Sequence, residues 1–229
     1  MPLRAETALI AVASNFLPAA EVLARDYGKE SGDSIVLSAG ATGTLAARIG
    51  AGAPYDAFLS ADAETPERLI AKGDAVAQTR RIYATGQLAL VRAEGFGATG
   101  GALPAIRAAR HIALANPALA PYGKAAVECL EFLGVYQEVA ERIVMAENVG
   151  QAATLVASGA AEIGIVARSA IPQGAPALTL PGECHAPITQ VAVLLSHGQA
   201  NGAARGFLAY LASDGAKATI VAFGYGVTP

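Results

Sequence analysis

The sequence predicts an α/β protein of two lobes, each a mixed sheet flanked by helices, and three observations carry that prediction. Short apolar strands alternate with amphipathic helices along the chain. Two strand-like runs, residues 82–92 and 188–196, are longer than the rest, and each sits where the composition changes. Between them lies a separate series of strands and helices. A pair of crossing strands explains this arrangement. It divides the chain into residues 1–84 plus 190–229 as one lobe and residues 85–189 as an inserted second lobe.

The elements follow in order. Residues 7–13 read as a first strand, and 33–38 and 57–61 as the next two. Helices are predicted over 16–30, 43–51 and 65–72. In the first of these, Phe16, Ala19, Ala20, Leu23, Ala24 and Tyr27 recur at helical spacing. The long run 82–92 is followed by a Gly-rich stretch, Gly95 to Gly101. The second lobe then offers strands at 111–115 and 161–167 and helices at 121–134 and 149–158. A Pro/Gly loop from Pro172 to Pro187 precedes the run 188–196, and helices at 200–212 and 214–222 close the chain.

Composition narrows the function. A chain of 229 residues can bury a substantial core. With 53% hydrophobic and 15% charged residues, it reads as globular rather than disordered. No apolar run reaches the length of a membrane span. The net charge of -3, without a basic block, argues against nucleic acid or an anionic membrane surface as partner. The opening MPLRAETALIAVAS carries no secretory signal and leads directly into the first strand. Cys129 and Cys184 could pair in an oxidising compartment or remain two buried thiols. A protein of this size does not need a staple, so they are expected to be unpaired.

The chemistry sits in four loops between strand and helix. They are Ser14-Asn15, Gly40-Ala41-Thr42-Gly43-Thr44, the segment Asn116-Pro117 to Pro121-Tyr122-Gly123, and Asn148-Val149-Gly150. Each opens a helix, where unpaired backbone N–H groups and the positive end of the dipole favour an anion. Hydroxyls add donors, and Gly43, Gly123 and Gly150 permit close approach of the backbone. Ser, Thr and Asn are also the preferred N-caps of any helix, so each loop alone reads first as a cap. Residues 13–15, 40–44, 116–123 and 148–150 contain no Lys, Arg, Asp or Glu. A fully deprotonated dianion needs only donors, whereas a protonated phosphate also needs an acceptor. Molybdate, tungstate and sulfate fit such loops better than phosphate does.

Other candidates read as structural. Asp56 and Asp62 flank a strand, Asp62 as a cap and Asp56 as a hydrogen-bond partner, rather than as an acid–base pair. Cys184 and His185 are adjacent and cannot readily face one metal, so no metal is expected. Arg48, Lys124 and Arg168 read as solvated charges near the loops. No nucleophile–base pair is apparent, so no enzyme and no cofactor are expected.

The strings AVASNFLPAAEVLARDY, SAGATGTLAARIGAGAPYDAFLSAD, NPALAPYGKAA and AENVGQAATLVASGAAEIGIVA resemble the periplasmic molybdate-binding proteins of ABC transporters. The resemblance runs from Ala8 to Val227. It implies the two-lobed periplasmic-binding-protein fold, with the oxyanion, molybdate or tungstate, held by hydroxyls and backbone N–H groups without a counter-charge. By position, the contacts fall on Ser14 with Asn15 beside it, Thr42, Tyr122 and Val149, the last two through backbone N–H. Some members place a tyrosine where this chain has Ala167, and Asn15 is expected to replace that bond. The resemblance further implies a periplasmic monomer, its signal peptide removed, that delivers its ligand to the membrane permease of an ABC transporter. The alternatives are a carrier of sulfate or another small solute, and a ligand-sensing domain of the same fold. The sensing reading lacks a helix-turn-helix segment and a basic face.

Overall fold

In a computed structural model, residues 5–97, 100–172 and 174–227 are described. The first four residues of the chain, part of the Gly-rich stretch, Gln173 and the last two residues lie outside them. The chain divides into two units, Met1–Thr85 with Thr189–Pro229, and Gly86–Ile188.

The first unit is built on strands β1 (Thr7–Ala13), β2 (Ser34–Gly40), β3 (Ala57–Ser60), β4 (Arg81–Gly86) and β10 (Ile188–Leu194), in the order β2-β1-β3-β10-β4. β1 runs parallel to β2 and β3, and β10 runs antiparallel to β3. Alternation along β1 assigns its two faces. Ala8, Ile10 and Val12 pack with Phe16, Leu23, Phe207 and Ile220 from helices α1 (Leu17–Ser31), α8 (Gly202–Tyr210) and α9 (Asp214–Ala222) and the turn before α1. Ala11 turns the other way, toward Leu45, Ile49 and Leu69 from α2 (Thr42–Gly50) and α3 (Glu64–Lys72). Each large apolar side chain so buried stabilises the unit by roughly 1.5–3 kcal/mol before entropy is counted. α1 takes Pro18 in its first turn and ends at Gly32, whose φ of 81° lets its N–H reach the Gly28 carbonyl.

The second unit repeats that strand order with its own strands. These are β5 (Leu88–Arg92), β6 (Ile112–Ala115), β7 (Ile143–Ala146), β8 (Ile163–Ala167) and β9 (Ala177–Thr179), arranged β7-β6-β8-β5-β9. β6 is parallel to β7 and β8, while β5 is antiparallel to β8 and β9. β6 and β8 are buried throughout, as continuous apolar runs are when both faces of a sheet are covered. Helices α4 (Ala102–Ala108), α5 (Pro121–Phe132), α6 (Tyr136–Val139) and α7 (Val149–Ala157) complete the unit.

Two expectations are corrected. The run 82–92 is not one long strand: it divides after Gly86 into β4 and β5, which belong to different sheets. Both halves are rich in strand-forming residues, and only the topology separates them. Cys129 and Cys184 are bonded to each other. The disulfide joins α5 to the Pro/Gly loop, and Glu128 accepts a hydrogen bond from the Ala186 N–H beside it at 3.1 Å. The argument from chain length failed because the crosslink holds a loop with little regular structure, not a weak core.

Candidate functional site

The four loops singled out by sequence lie at the C-terminal ends of parallel strands, two in each unit. In the first unit β1 and β2 end side by side, Ala13 opposite Gly40. The Ser14 N–H donates to the Gly40 carbonyl at 2.9 Å, which ties the start of the α1 turn to the loop entering α2. Thr42 is the first residue of α2 and is buried. Its hydroxyl oxygen accepts the Ala61 N–H at 3.3 Å, from just past the end of β3. That bond uses a lone pair and leaves the hydroxyl proton to be donated. Ser14, Asn15 and Thr42 therefore share one edge of this sheet.

In the second unit β6 and β7 end together, Ala115 opposite Ala146. The Asn116 N–H donates to the Ala146 carbonyl at 2.8 Å, and Asn116 Oδ1 accepts the Ala118 N–H at 3.0 Å, shaping the turn into α5. Tyr122 lies in the first turn of α5 and Val149 opens α7, both buried. A Cβ at Gly123 would overlap the Ala115 carbonyl, so only glycine lets α5 begin this close to β6. Tyr122 and Val149 share this unit's edge.

The helix ends show which of these residues act as caps. At α1 the N-cap position is Phe16, at α2 Ala41 and at α5 Ala120, and none makes a side-chain capping bond. Of the four helices that follow these loops, α7 alone has a side-chain cap, Asn148, which accepts the Gln151 N–H at 3.0 Å. Ser14 and Thr42 are residue types that cap well, yet neither occupies the N-cap position of its helix.

Asn15 is buried beside Ser14, and its carboxamide nitrogen donates at 2.9 Å to both Gln190 Oε1 and the Tyr225 hydroxyl. Tyr225 in turn donates to the Asn15 carbonyl at 2.8 Å, and Tyr83 donates to Gln190 Oε1 at 2.9 Å. Burial, with Tyr225 a smaller influence, holds the Tyr83 phenol well above the usual tyrosine range, so it stays a neutral donor. Sequence reading missed Tyr83, Gln190 and Tyr225. The available signal was a glutamine within the apolar run ITQVAVLL.

The remaining candidates lie in structural settings. Asp62 accepts the Thr65 N–H at 2.8 Å and the Thr65 hydroxyl at 3.0 Å, holding the first turn of α3. Asp56 accepts the Leu9 N–H at 2.7 Å and pairs with His197 at 3.3 Å, at the opposite end of β3 from Ala61. Lys124 lies 4.0 Å from Glu128, and Arg48 is exposed. His185 Nδ1 lies 2.7 Å from the Ala186 carbonyl.

Residues 8–226 match the family of bacterial extracellular solute-binding proteins. The chain belongs to this family. Among solute-binding proteins it is 38% identical to the molybdate-binding protein ModA of Azotobacter vinelandii, over 95% of this chain and 89% of that one. It is 33% identical to ModA of Rhodobacter capsulatus, over 98% of this chain and 90% of the relative. Among solved structures, the Azotobacter vinelandii periplasmic molybdate-binding protein superposes with a TM-score of 0.91. The match has 35% identity and covers 97% of this chain and 100% of that one. The two mixed sheets flanked by helices are thus the periplasmic-binding-protein fold.

Proposed function

We propose that this solute-binding protein binds molybdate, and tungstate by the same chemistry, and delivers it to the membrane permease of an ABC importer. The observation that carries the reading is the pair of strand edges bearing helix starts, three of them without a side-chain cap and none with a charged residue in its loop. Neutral donors and dipole ends suit a dianion that brings no proton of its own. Ser14 and Thr42 give hydroxyl bonds. Tyr122 and Val149 give backbone N–H bonds, and Asn15 completes the turn beside Ser14. The similarity to molybdate-binding proteins over nearly the whole chain supports this ligand.

The disulfide suits a protein that works outside the reducing cytosol, in the periplasm after removal of its signal. The protein acts as a monomeric carrier and not as an enzyme, since its role ends with release of an unchanged ion. Calorimetric titration with molybdate, tungstate, sulfate and phosphate tests the reading. Tight one-to-one binding of the first two, weak binding of sulfate and none of phosphate is expected. Preference for sulfate, or for an organic solute, would replace it.

A further inference from the structure

We propose that Gln190, with Tyr83 and Tyr225, is a positioning residue for the Ser14–Asn15 turn. The proposal rests on the reading of Ser14 as an anion donor and extends that site inward.

Asn15, Gln190, Tyr83 and Tyr225 are joined by buried bonds of defined direction. Gln190 Oε1 accepts from both Asn15 Nδ2 and the Tyr83 hydroxyl, each at 2.9 Å. Asn15 Nδ2 donates its second proton to the Tyr225 oxygen at 2.9 Å, and the Tyr225 proton returns to the Asn15 carbonyl at 2.8 Å. Gln190 and Asn15 are 0% and 1% exposed, so water does not compete for these bonds.

The partners come from far along the chain, 175 residues away for Gln190 and 210 for Tyr225. Each is itself anchored. Gln190 lies on β10 and Tyr83 on β4, neighbours in the sheet. Tyr225 precedes Gly226, which exchanges two backbone bonds with Thr85 at 2.7 and 2.9 Å. Phe16 fills the space between the phenols, its ring centroid 4.6 Å from that of Tyr83 and 5.4 Å from that of Tyr225.

The Ser14–Asn15 turn is therefore held on both sides. Ser14 N–H is bound to Gly40, and Asn15 is bound through both its carboxamide and its carbonyl. A turn ordered before the ligand arrives does not have to be ordered by it, and affinity rises accordingly. Replacing Gln190 by an apolar side chain of similar length removes the oxygen that accepts from both Asn15 and Tyr83, and leaves Tyr83 its longer bond to the Ser60 carbonyl at 3.3 Å. The turn then loosens, and ordering it is charged to the binding step.

The test compares molybdate affinity and the melting temperature of the ligand-free protein in Gln190→Met, Tyr225→Phe, Ser14→Ala and a control, Phe207→Leu. Phe207 packs against Tyr27 in the same unit, outside the network. Gln190→Met and Tyr225→Phe should each weaken binding by about tenfold, from lost buried hydrogen bonds and a looser turn. Phe207→Leu should lower the melting temperature while leaving affinity within about twofold, because it removes core packing but none of the hydrogen bonds that hold the turn. In a Ser14→Ala background the loss from Gln190→Met should shrink to within about twofold, because the turn no longer carries its donor.

If Ser14→Ala weakens binding but both network variants bind like the control, the positioning role is overturned and the site itself stands. A Gln190→Met loss undiminished in the Ser14→Ala background overturns it as well. Parent-like affinity in Ser14→Ala removes the underlying site, and this proposal with it.

Discussion

Ser14 and Thr42 show how little a residue type reveals until its neighbours are known. Both are good helix caps, yet neither stands at an N-cap, and the Thr42 oxygen instead accepts the Ala61 N–H. With that lone pair engaged, its proton is free to point at a ligand. Truncation of Ser14 or Thr42 to Ala should weaken molybdate binding by about 1.5–3 kcal/mol, the range for a hydrogen bond to a charged partner. Calorimetry on the two variants checks this, and a melt confirms that the fold survives. A second residue-scale expectation concerns alkaline pH. Tyr83 keeps its proton in the folded state to well above the tyrosine range, whereas in the unfolded chain it titrates near about 10. The folded state then binds more protons than the unfolded one as pH rises through that value. The stability this contributes is complete below it and is lost as pH climbs toward the folded pKa. Tyr83→Phe should flatten the alkaline fall in melting temperature; an alkaline limb as steep as the parent's would contradict it.

Elements were legible where their pattern was long or their flanks distinct. β1, β2, β3, β6, β8 and β10 and the helices α1, α2, α3, α5, α7, α8 and α9 lie within or close to the runs that periodicity marks. Those missed share a physical reason. β7 has four residues, three of them only partly buried or exposed, and β9 has three, so neither runs long enough to establish a period. α4 follows glycines and carries Pro104, which mask a short helix. The candidate residues could be located by position, but the bonds behind them could not. Gln190 and Tyr225 meet Asn15 only through folding, and the disulfide joins positions 55 residues apart.

Two expectations belong to elements. Gly123→Ala forces α5 away from the Ala115 carbonyl, and overpacking of this kind costs about 1–3 kcal/mol. The cost should appear in denaturant melts, with weaker molybdate binding because Tyr122 moves with the helix. Replacing both Cys129 and Cys184 by Ser frees the Pro/Gly loop from α5, and stability should fall by about 2–4 kcal/mol. A double variant that melts with the parent would show that the hydrogen bond from Ala186 to Glu128 suffices.

At the scale of the whole molecule, ligand and stability are linked. The unfolded chain has no assembled helix starts and does not bind, so molybdate at about 100 times its dissociation constant should stabilise the native state by roughly 2.7 kcal/mol. The melting temperature should rise by several degrees. The proposed donors are neutral, and sodium chloride should reduce the shift only modestly. A melt indifferent to both molybdate and tungstate would count against the proposed ligand. One further consequence follows from the tyrosines around Asn15. The chain contains seven tyrosines and no tryptophan. Its near-ultraviolet emission is therefore free of the indole signal that usually masks phenols. One of the emitters, Tyr225, is hydrogen-bonded to Asn15 in the turn that carries Ser14, and a second, Tyr83, to Gln190 behind it. If the proposed site at Ser14 holds, docking of a colourless ion that itself emits nothing should become an optical event, readable without a label.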